Sequence, residues 1–170
     1  MKRREETIKT SLFQTSEADR VFVIAATLVF FASLLVTFWD FWQIQGMIFR
    51  LSSISLVGFV LFIFGVVLRA IGRITLGRYY AYGLRMLPDH KLVTHGIYKH
   101  VRHPISLAAI LYSVGIPLIF SSLYGFAVML LIIPLILYRL RMEERMLIEK
   151  FGDEYQQYMR KTKKLIPFIY

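Results

Sequence analysis

Four long apolar stretches constrain this chain more than any other feature of its sequence. They cover Val21–Phe38, Leu51–Leu68, Ile105–Phe120 and Leu123–Tyr138. As helices, the first two would be about 27 Å long and the last two about 24 Å, close to the thickness of the bilayer hydrocarbon. The sequence therefore predicts an all-α, polytopic integral membrane protein with about four transmembrane helices. Because it contains no cysteine, disulfides and thiolate chemistry are excluded.

The apolar stretches divide the chain into five predicted segments. These are a cytoplasmic tail or interfacial helix (1–20), a first transmembrane hairpin (21–71), a cytoplasmic loop (72–104), a second transmembrane hairpin (105–138) and cytoplasmic C-terminal helices (139–170). Pro117 and Pro134 predict kinks or unwound turns in the second hairpin. Gly58 and Gly65 would allow close helix contact in the first, although their spacing is not that of a GxxxG motif.

Basic residues are concentrated on one side of this predicted topology. Segments 1–20, 72–104 and 139–170 contain 5, 6 and 8 Lys and Arg residues, whereas the two opposite connections contain only Arg50. The positive-inside rule then predicts that both termini and the long loop are cytoplasmic. In so apolar a chain, the net charge of +10 indicates a membrane-lipid partner rather than nucleic acid.

The second hairpin should bring two polar regions together, because a hairpin returns its two ends to the same interface. The loop before it contains His95, Tyr98, His100, Arg102 and His103, and the segment after it contains Arg139, Glu143 and Glu144. This topology predicts a site of imidazole, guanidinium and carboxylate groups at the cytoplasmic surface of the membrane.

Three motifs occur in this order around the second hairpin. They are Leu92-Val93-Thr94-His95-Gly96-Ile97-Tyr98-Lys99-His100-Val101-Arg102-His103-Pro104, Arg139-x-x-x-Glu143-Glu144 and Phe151-Gly152-Asp153-Glu154-Tyr155. The ordered set resembles the isoprenylcysteine carboxyl methyltransferase and phospholipid methyltransferase family of integral membrane enzymes. The resemblance covers about residues 84–170, half of the chain.

The resemblance implies a function, a cofactor and site residues. The expected function is methyl transfer to a hydrophobic or amphiphilic acceptor that enters from the bilayer, most like isoprenylcysteine carboxyl methylation. The donor would be S-adenosylmethionine, which leaves as S-adenosylhomocysteine, and no metal is expected. Catalytic roles would fall to Arg139 and Glu143. The cofactor-binding residues would be Leu92, Val93, Gly96, Tyr98, Arg102, His103, Pro104 and Glu144.

The chemistry of methyl transfer is compatible with these residue types. A sulfonium donor is already activated, so the protein mainly supplies positioning, desolvation and electrostatics. A carboxylate would be favoured beside the cationic donor, and Arg139 would hold an anionic acceptor by charge-assisted bonds. A carboxylate acceptor needs no general base, whereas an amine or hydroxyl would need one, with His103 or a glutamate as the candidates.

Other interpretations stay open at the level of sequence. Arg139 and Glu143 are four residues apart and would also suit a surface ion pair, and Tyr79 and Tyr80 would suit the lipid headgroup region. The alternative functions are a phospholipid or other small-lipid methyltransferase and a non-enzymatic four-helix scaffold.

A metal-dependent membrane oxygenase is a further functional class, because the chain contains a possible pair of metal ligands. His100-x-x-His103 has the spacing of a ligand pair, but four histidines are too few for a di-metal site.

The methyl acceptor is the least determined part of the prediction. Ser106 and Ala108 stand where the family often has Tyr and Gly, which bears on the acceptor more than on the cofactor. The sequence does not select among O, N and S as the methylated atom, and it does not indicate the oligomeric state.

Overall fold

The computed structural model describes residues 17–43, 49, 51–80 and 91–166. Its helices, in chain order, are α1 (Glu17–Gln43), α2 (Ser53–Leu76), α3 (Pro104–Ile119), α4 (Leu123–Met129), α5 (Ile132–Phe151) and α6 (Asp153–Lys161). Two short 3₁₀ turns occur at Gly77–Tyr79 and Gly96–Lys99. Within the described residues, the only β pairing is an isolated parallel bridge between Val101 and Lys163. The all-α prediction is confirmed.

Three helical stretches are long and apolar enough to cross a membrane: Asp19–Gln43, Ser53–Tyr79 and Leu123–Phe151. The fourth apolar element, α3, is shorter, with 16 residues. Large apolar side chains on α1 and α2 are exposed, among them Leu28, Leu35, Val60 and Ile63. Such faces are stable in lipid and costly in water.

The helices extend beyond the apolar stretches that predicted them. Residues 17–20 belong to α1 rather than to a separate tail, and residues 1–16 lie outside the described part. Residues 72–76 belong to α2 rather than to the polar loop, and residues 81–90 are not described. The predicted boundary between 138 and 139 lies inside α5. Polarity changes at these points, but charged residues such as Arg73 and Arg139 are good helix formers and continue the helix.

The predicted disruption near Pro134 is present as a break between α4 and α5. Pro134 is the third residue of α5 and has no N–H to donate to the carbonyl of Leu130, with which its ring would also clash. Leu130 and Leu131 therefore lie outside both helices. The carbonyl of Leu130 instead accepts a hydrogen bond from the backbone N–H of Ile133 at 3.1 Å.

Helices α2 and α3 pack closely because small residues face each other along their contact. Gly58, Gly65 and Gly72 repeat every seven residues and are buried on one face of α2. A Cβ added at Gly65 would lie 2.7 Å from the backbone nitrogen of Tyr112 in α3. The close helix contact predicted from Gly58 and Gly65 is present, with a spacing of two helical turns.

Serine residues join three helices at the end of the bundle opposite the loop before α3. The hydroxyl of Ser52, at the start of α2, lies 2.7 Å from that of Ser121 in the turn between α3 and α4. The hydroxyl of Ser33 in α1 donates to the carbonyl of Gly125 in α4 at 2.8 Å. These bonds fix one end of the bundle. The polar residues predicted to form the site lie at the other end.

Candidate active site

A cavity of about 610 Å³ lies between α1, α2, α3 and α5, at the end of the bundle where the loop before α3 meets the C-terminal helices. Seven of the residues predicted for the site line it: Leu92, Val93, Tyr98, Arg102, His103, Arg139 and Glu143. The cavity also has an apolar wall, which includes Phe22, Phe30 and Phe31 of α1 and Ile132 and Ile136 of α5. Its volume is within the range of small-molecule sites.

The loop before α3 is held in place by backbone pairing with the chain after α6. The N–H groups of Arg102 and His103 donate to the carbonyls of Lys163 and Lys164, at 2.8 and 3.1 Å. In return, the N–H of Lys163 donates to the carbonyl of His100 at 3.2 Å. This pairing requires the chain to reverse after α5. Gly152, with φ of +53°, allows that reversal at a backbone conformation that other residues rarely adopt.

Glu144 is the centre of a largely buried ion-pair network. Its Oε1 lies 3.0 Å from Nε of Arg102, and its Oε2 lies 2.7 Å from Nζ of Lys164. The guanidinium of Arg102 also donates to the carbonyls of Met159 and Thr162. One carboxylate thus joins the loop before α3, helix α5 and the chain after α6.

His103 immediately precedes α3 and faces the cavity while being only 6% exposed. Its Nε2 is 3.4 Å from Oε1 of Glu144 but forms no hydrogen bond with a described residue, and its Nδ1 is 3.8 Å from Oε1 of Glu143. A buried ring nitrogen without a hydrogen bond is costly. His103 therefore presents an unsatisfied polar atom at a cavity wall.

Three tyrosines from the loop and α6 surround the same end of the cavity. The hydroxyl of Tyr158 donates to the carbonyl of Tyr98 at 2.6 Å, whereas the buried hydroxyl of Tyr155 has no hydrogen-bond partner among the described residues. Burial raises the pKa of Tyr98 and Tyr155 well above the usual value, and it raises the pKa of Tyr158 to about 12. All three phenols therefore stay neutral at physiological pH and are available as hydrogen-bond donors rather than as bases.

Arg139 projects from α5 at the boundary between the apolar and charged parts of that helix. Its Nε donates to Oδ1 of Asp19 in α1 at 3.2 Å, and its NH1 lies 3.9 Å from Oε2 of Glu143. The guanidinium also lies over the ring of Phe22, 5.2 Å from its centroid. Arg139 is therefore held between α1 and α5 instead of extending freely to the surface.

Three residues predicted to bind the cofactor do not line the cavity: Gly96, Pro104 and Glu144. Gly96 has φ of +59° and faces Thr75, and Pro104 is the first residue of α3. Ser106 lines the cavity, but Ala108 is buried against α2.

Several cavity or network residues were not predicted for the site. They are Asp19, Arg69, Tyr79, Tyr80, Tyr112 and Lys164. Tyr79 and Tyr80 carry a sequence signal, as aromatic residues beside a polar loop, but that signal also suits the lipid headgroup region. In the described part of the chain, no three His, Asp or Glu side chains are grouped as metal ligands.

Comparison with known proteins supports the same family as the sequence motifs. The model of the isoprenylcysteine carboxyl methyltransferase (ICMT) family matches residues 56–149. The chain belongs to this family. It is 34% identical to a probable protein-S-isoprenylcysteine O-methyltransferase of Oryza sativa subsp. indica, over 68% of this chain and 62% of that protein. It is 29% identical to methanethiol S-methyltransferase 1 of Bradyrhizobium diazoefficiens, over 84% of this chain and 54% of that protein.

A solved structure has the same fold. It is the eukaryotic intramembrane Ras methyltransferase ICMT, with a TM-score of 0.72 and 28% identity over 84% of this chain and 52% of that one. Together with its apolar helices, this likeness makes the chain an integral multi-pass membrane protein. The chain spans 62% of the length of the rice relative. Phospholipid methylation, the alternative function, is not favoured by these relatives.

Proposed function

We propose that this protein transfers a methyl group from S-adenosylmethionine to the carboxylate of an isoprenylcysteine-type amphiphile. One observation carries the proposal: a single cavity joins charged groups, Arg139, Glu143 and His103, to an apolar wall within the transmembrane helices. An acceptor with an anionic head and a hydrocarbon tail matches both parts. The names of the relatives support the same acceptor class.

The apolar part of the cavity runs along the membrane-spanning helices. On α1 it is lined from Phe22 to Phe31, nine residues apart, which corresponds to about 13 Å along the helix axis. On α5, Ile132, Ile136 and Arg139 lie on one face because they are four and three residues apart. An acceptor tail along this wall would place its head beside Arg139.

The polar part of the cavity fits the methyl donor. S-adenosylmethionine supplies an electrophilic methyl group on a cationic sulfur when it is bound. Glu143 offers the cation a carboxylate, and the imidazole of His103 and the hydroxyl of Tyr155 offer hydrogen bonds to its polar groups. Leu92, Val93 and Tyr98 add contact surface in the loop. We assign Gly96, Pro104, Arg102 and Glu144 the role of holding that loop in shape.

Arg139 would orient the acceptor for the reaction. Its guanidinium holds a carboxylate by charge-assisted hydrogen bonds, while the apolar wall excludes water. When bound, the donor would supply its methyl group to a carboxylate oxygen held by Arg139, and the electron pair of the broken bond to carbon would stay on sulfur as the neutral thioether of S-adenosylhomocysteine. A carboxylate carries its own nucleophilic electron pair, so no side chain has to remove a proton.

The proposed function can be tested by methyl transfer in nanodiscs. Radiolabelled S-adenosylmethionine is offered with an N-acetylated prenylcysteine, and in parallel with the same compound amidated at its carboxyl group, a phospholipid and a small thiol. We expect label in the free prenylcysteine alone. Label in the phospholipid or the thiol instead would assign a different acceptor, and no label with any acceptor would contradict the enzyme assignment.

His103→Ala should weaken S-adenosylmethionine binding without unfolding the protein. The change removes an unsatisfied polar atom from the cavity wall, so we expect a roughly 10-fold rise in the dissociation constant, the size of one lost hydrogen bond. Titration calorimetry in nanodiscs measures the affinity. His95→Ala is the matched control, because His95 is exposed in the same loop. Unchanged affinity in His103→Ala would remove His103 from the donor site.

We also propose that both termini and the active site are cytoplasmic. The concentration of Lys and Arg in segments 1–20, 72–104 and 139–170 supports this orientation. A reporter domain fused after Tyr170 should then be protected from protease added outside intact cells. Cleavage of that reporter before cell lysis would contradict a cytoplasmic C-terminus.

A further inference from the structure

Asp19 is a buried carboxylate in the first turn of α1, at the margin of a membrane-spanning helix. It is 2% exposed, although its neighbours Val21, Val23 and Ile24 are all more than half exposed. It lies outside residues 56–149, which match the family. A carboxylate buried beside a bilayer is unfavourable unless it is paired. Its position therefore requires a specific partner.

The partner is the arginine proposed to hold the acceptor. Oδ1 of Asp19 accepts a hydrogen bond from Nε of Arg139 at 3.2 Å, across 120 residues of sequence. Phe22, one helical turn after Asp19, places its ring 5.2 Å from the same guanidinium. The two contacts come from one helix face, since residues three apart are neighbours on a helix.

The contact leaves Arg139 able to bind a second group. A guanidinium has five N–H groups, and one acceptor at Nε does not exhaust them. Glu143 is too distant for a good hydrogen bond, with its Oε2 3.9 Å from NH1. Without a fixed contact, a long arginine side chain at this depth would extend towards the lipid phosphates. A bond at Nε prevents that and retains the side chain at the cavity.

We propose that Asp19 is a positioning residue, which holds the guanidinium of Arg139 at the cavity wall in the orientation that receives the acceptor carboxylate. The inference rests on the proposed function. Helix α1 would then contribute a residue to the active site, even though α1 lies outside the family match. The opposite role would be competition, in which Asp19 occupies Arg139 until the acceptor displaces it. The two roles predict opposite effects on activity.

Asp19→Asn tests the inference, because asparagine keeps the shape but loses the charge. With prenylcysteine as acceptor, we expect kcat to fall about 10-fold while the S-adenosylmethionine dissociation constant stays within twofold of wild type. Asp19→Glu should recover part of kcat by restoring the charge. Glu17→Gln is the matched control, because Glu17 is exposed in the same turn of α1.

A double variant separates positioning from a general loss of structure. If Asp19 acts only through Arg139, Asp19→Asn combined with Arg139→Lys should be no slower than Arg139→Lys alone. Three results would overturn the inference. They are a double variant whose loss of kcat is the product of the two single losses, an unchanged kcat in Asp19→Asn, and a higher kcat in Asp19→Asn, which would indicate competition. Those outcomes require an active wild-type protein. A wild type that methylates no acceptor would instead overturn the proposed function, and this inference with it.

Discussion

Glu144→Gln is expected to destabilise the protein more than any other single change at the site. Glutamine keeps the size of the side chain but removes the charge that faces Arg102 and Lys164, at 3.0 and 2.7 Å. All three side chains are at most 12% exposed, so water cannot replace the lost partner. Removing one member of a buried ion pair costs about 3–5 kcal/mol. For a chain of this size we expect the melting temperature to fall by roughly 10 °C.

The melting temperature can be measured by heating the protein in detergent and recording by size-exclusion chromatography how much folded protein remains at each temperature. Glu149→Gln is the matched control, because Glu149 is exposed on the same helix and should change the melting temperature little. Below its melting temperature, Glu144→Gln should also bind the donor more weakly, since the loop before α3 loses its connection to α5. Normal stability together with weak donor binding would contradict a structural role and would favour direct contact with the donor.

The membrane fold was predictable because its signals are local. An apolar stretch of about 18 residues is long enough to indicate a membrane helix without reference to any other part of the chain. The 16-residue α3 is shorter than the three helical stretches that are long enough to cross. Pro134 predicted the disruption between α4 and α5 for an equally local reason, its missing N–H. The apolar stretches did not define the helix ends, because the end of an apolar stretch marks a change of environment rather than the end of a helix. Residues such as Arg73 and Arg139 continue their helices beyond it.

The meeting of the two polar regions was also predictable, but the individual side-chain pairs between them were not. Hairpin topology brings the loop before α3 near the end of α5, and the structure places Arg102 against Glu144 there. The sequence could not assign Lys164 to the same carboxylate, because that contact depends on the chain reversal at Gly152. Asp19 was missed because its contact is long-range. Its partner is 120 residues away, and no local pattern records a contact over that distance.

Arg139→Lys is expected to lower turnover about 10-fold or more, a barrier increase of about 1.4 kcal/mol, with little change in donor affinity. Lysine keeps the positive charge but replaces a planar group of five N–H donors by a single ammonium. One ammonium at this position cannot replace the bond from Nε to Asp19 and also form a bidentate pair of hydrogen bonds with an acceptor carboxylate. The acceptor should therefore still bind, but in more than one orientation.

Steady-state kinetics with prenylcysteine and donor titration by calorimetry together measure both quantities. Arg141→Lys is the matched control, because Arg141 is exposed two residues further along α5 and lies away from the cavity. An arginine that served only as an interfacial anchor would tolerate lysine, since both side chains reach the lipid phosphates. Full activity in Arg139→Lys would therefore exclude the acceptor role. It would also contradict the positioning role of Asp19, because Asp19 is proposed to act only through Arg139.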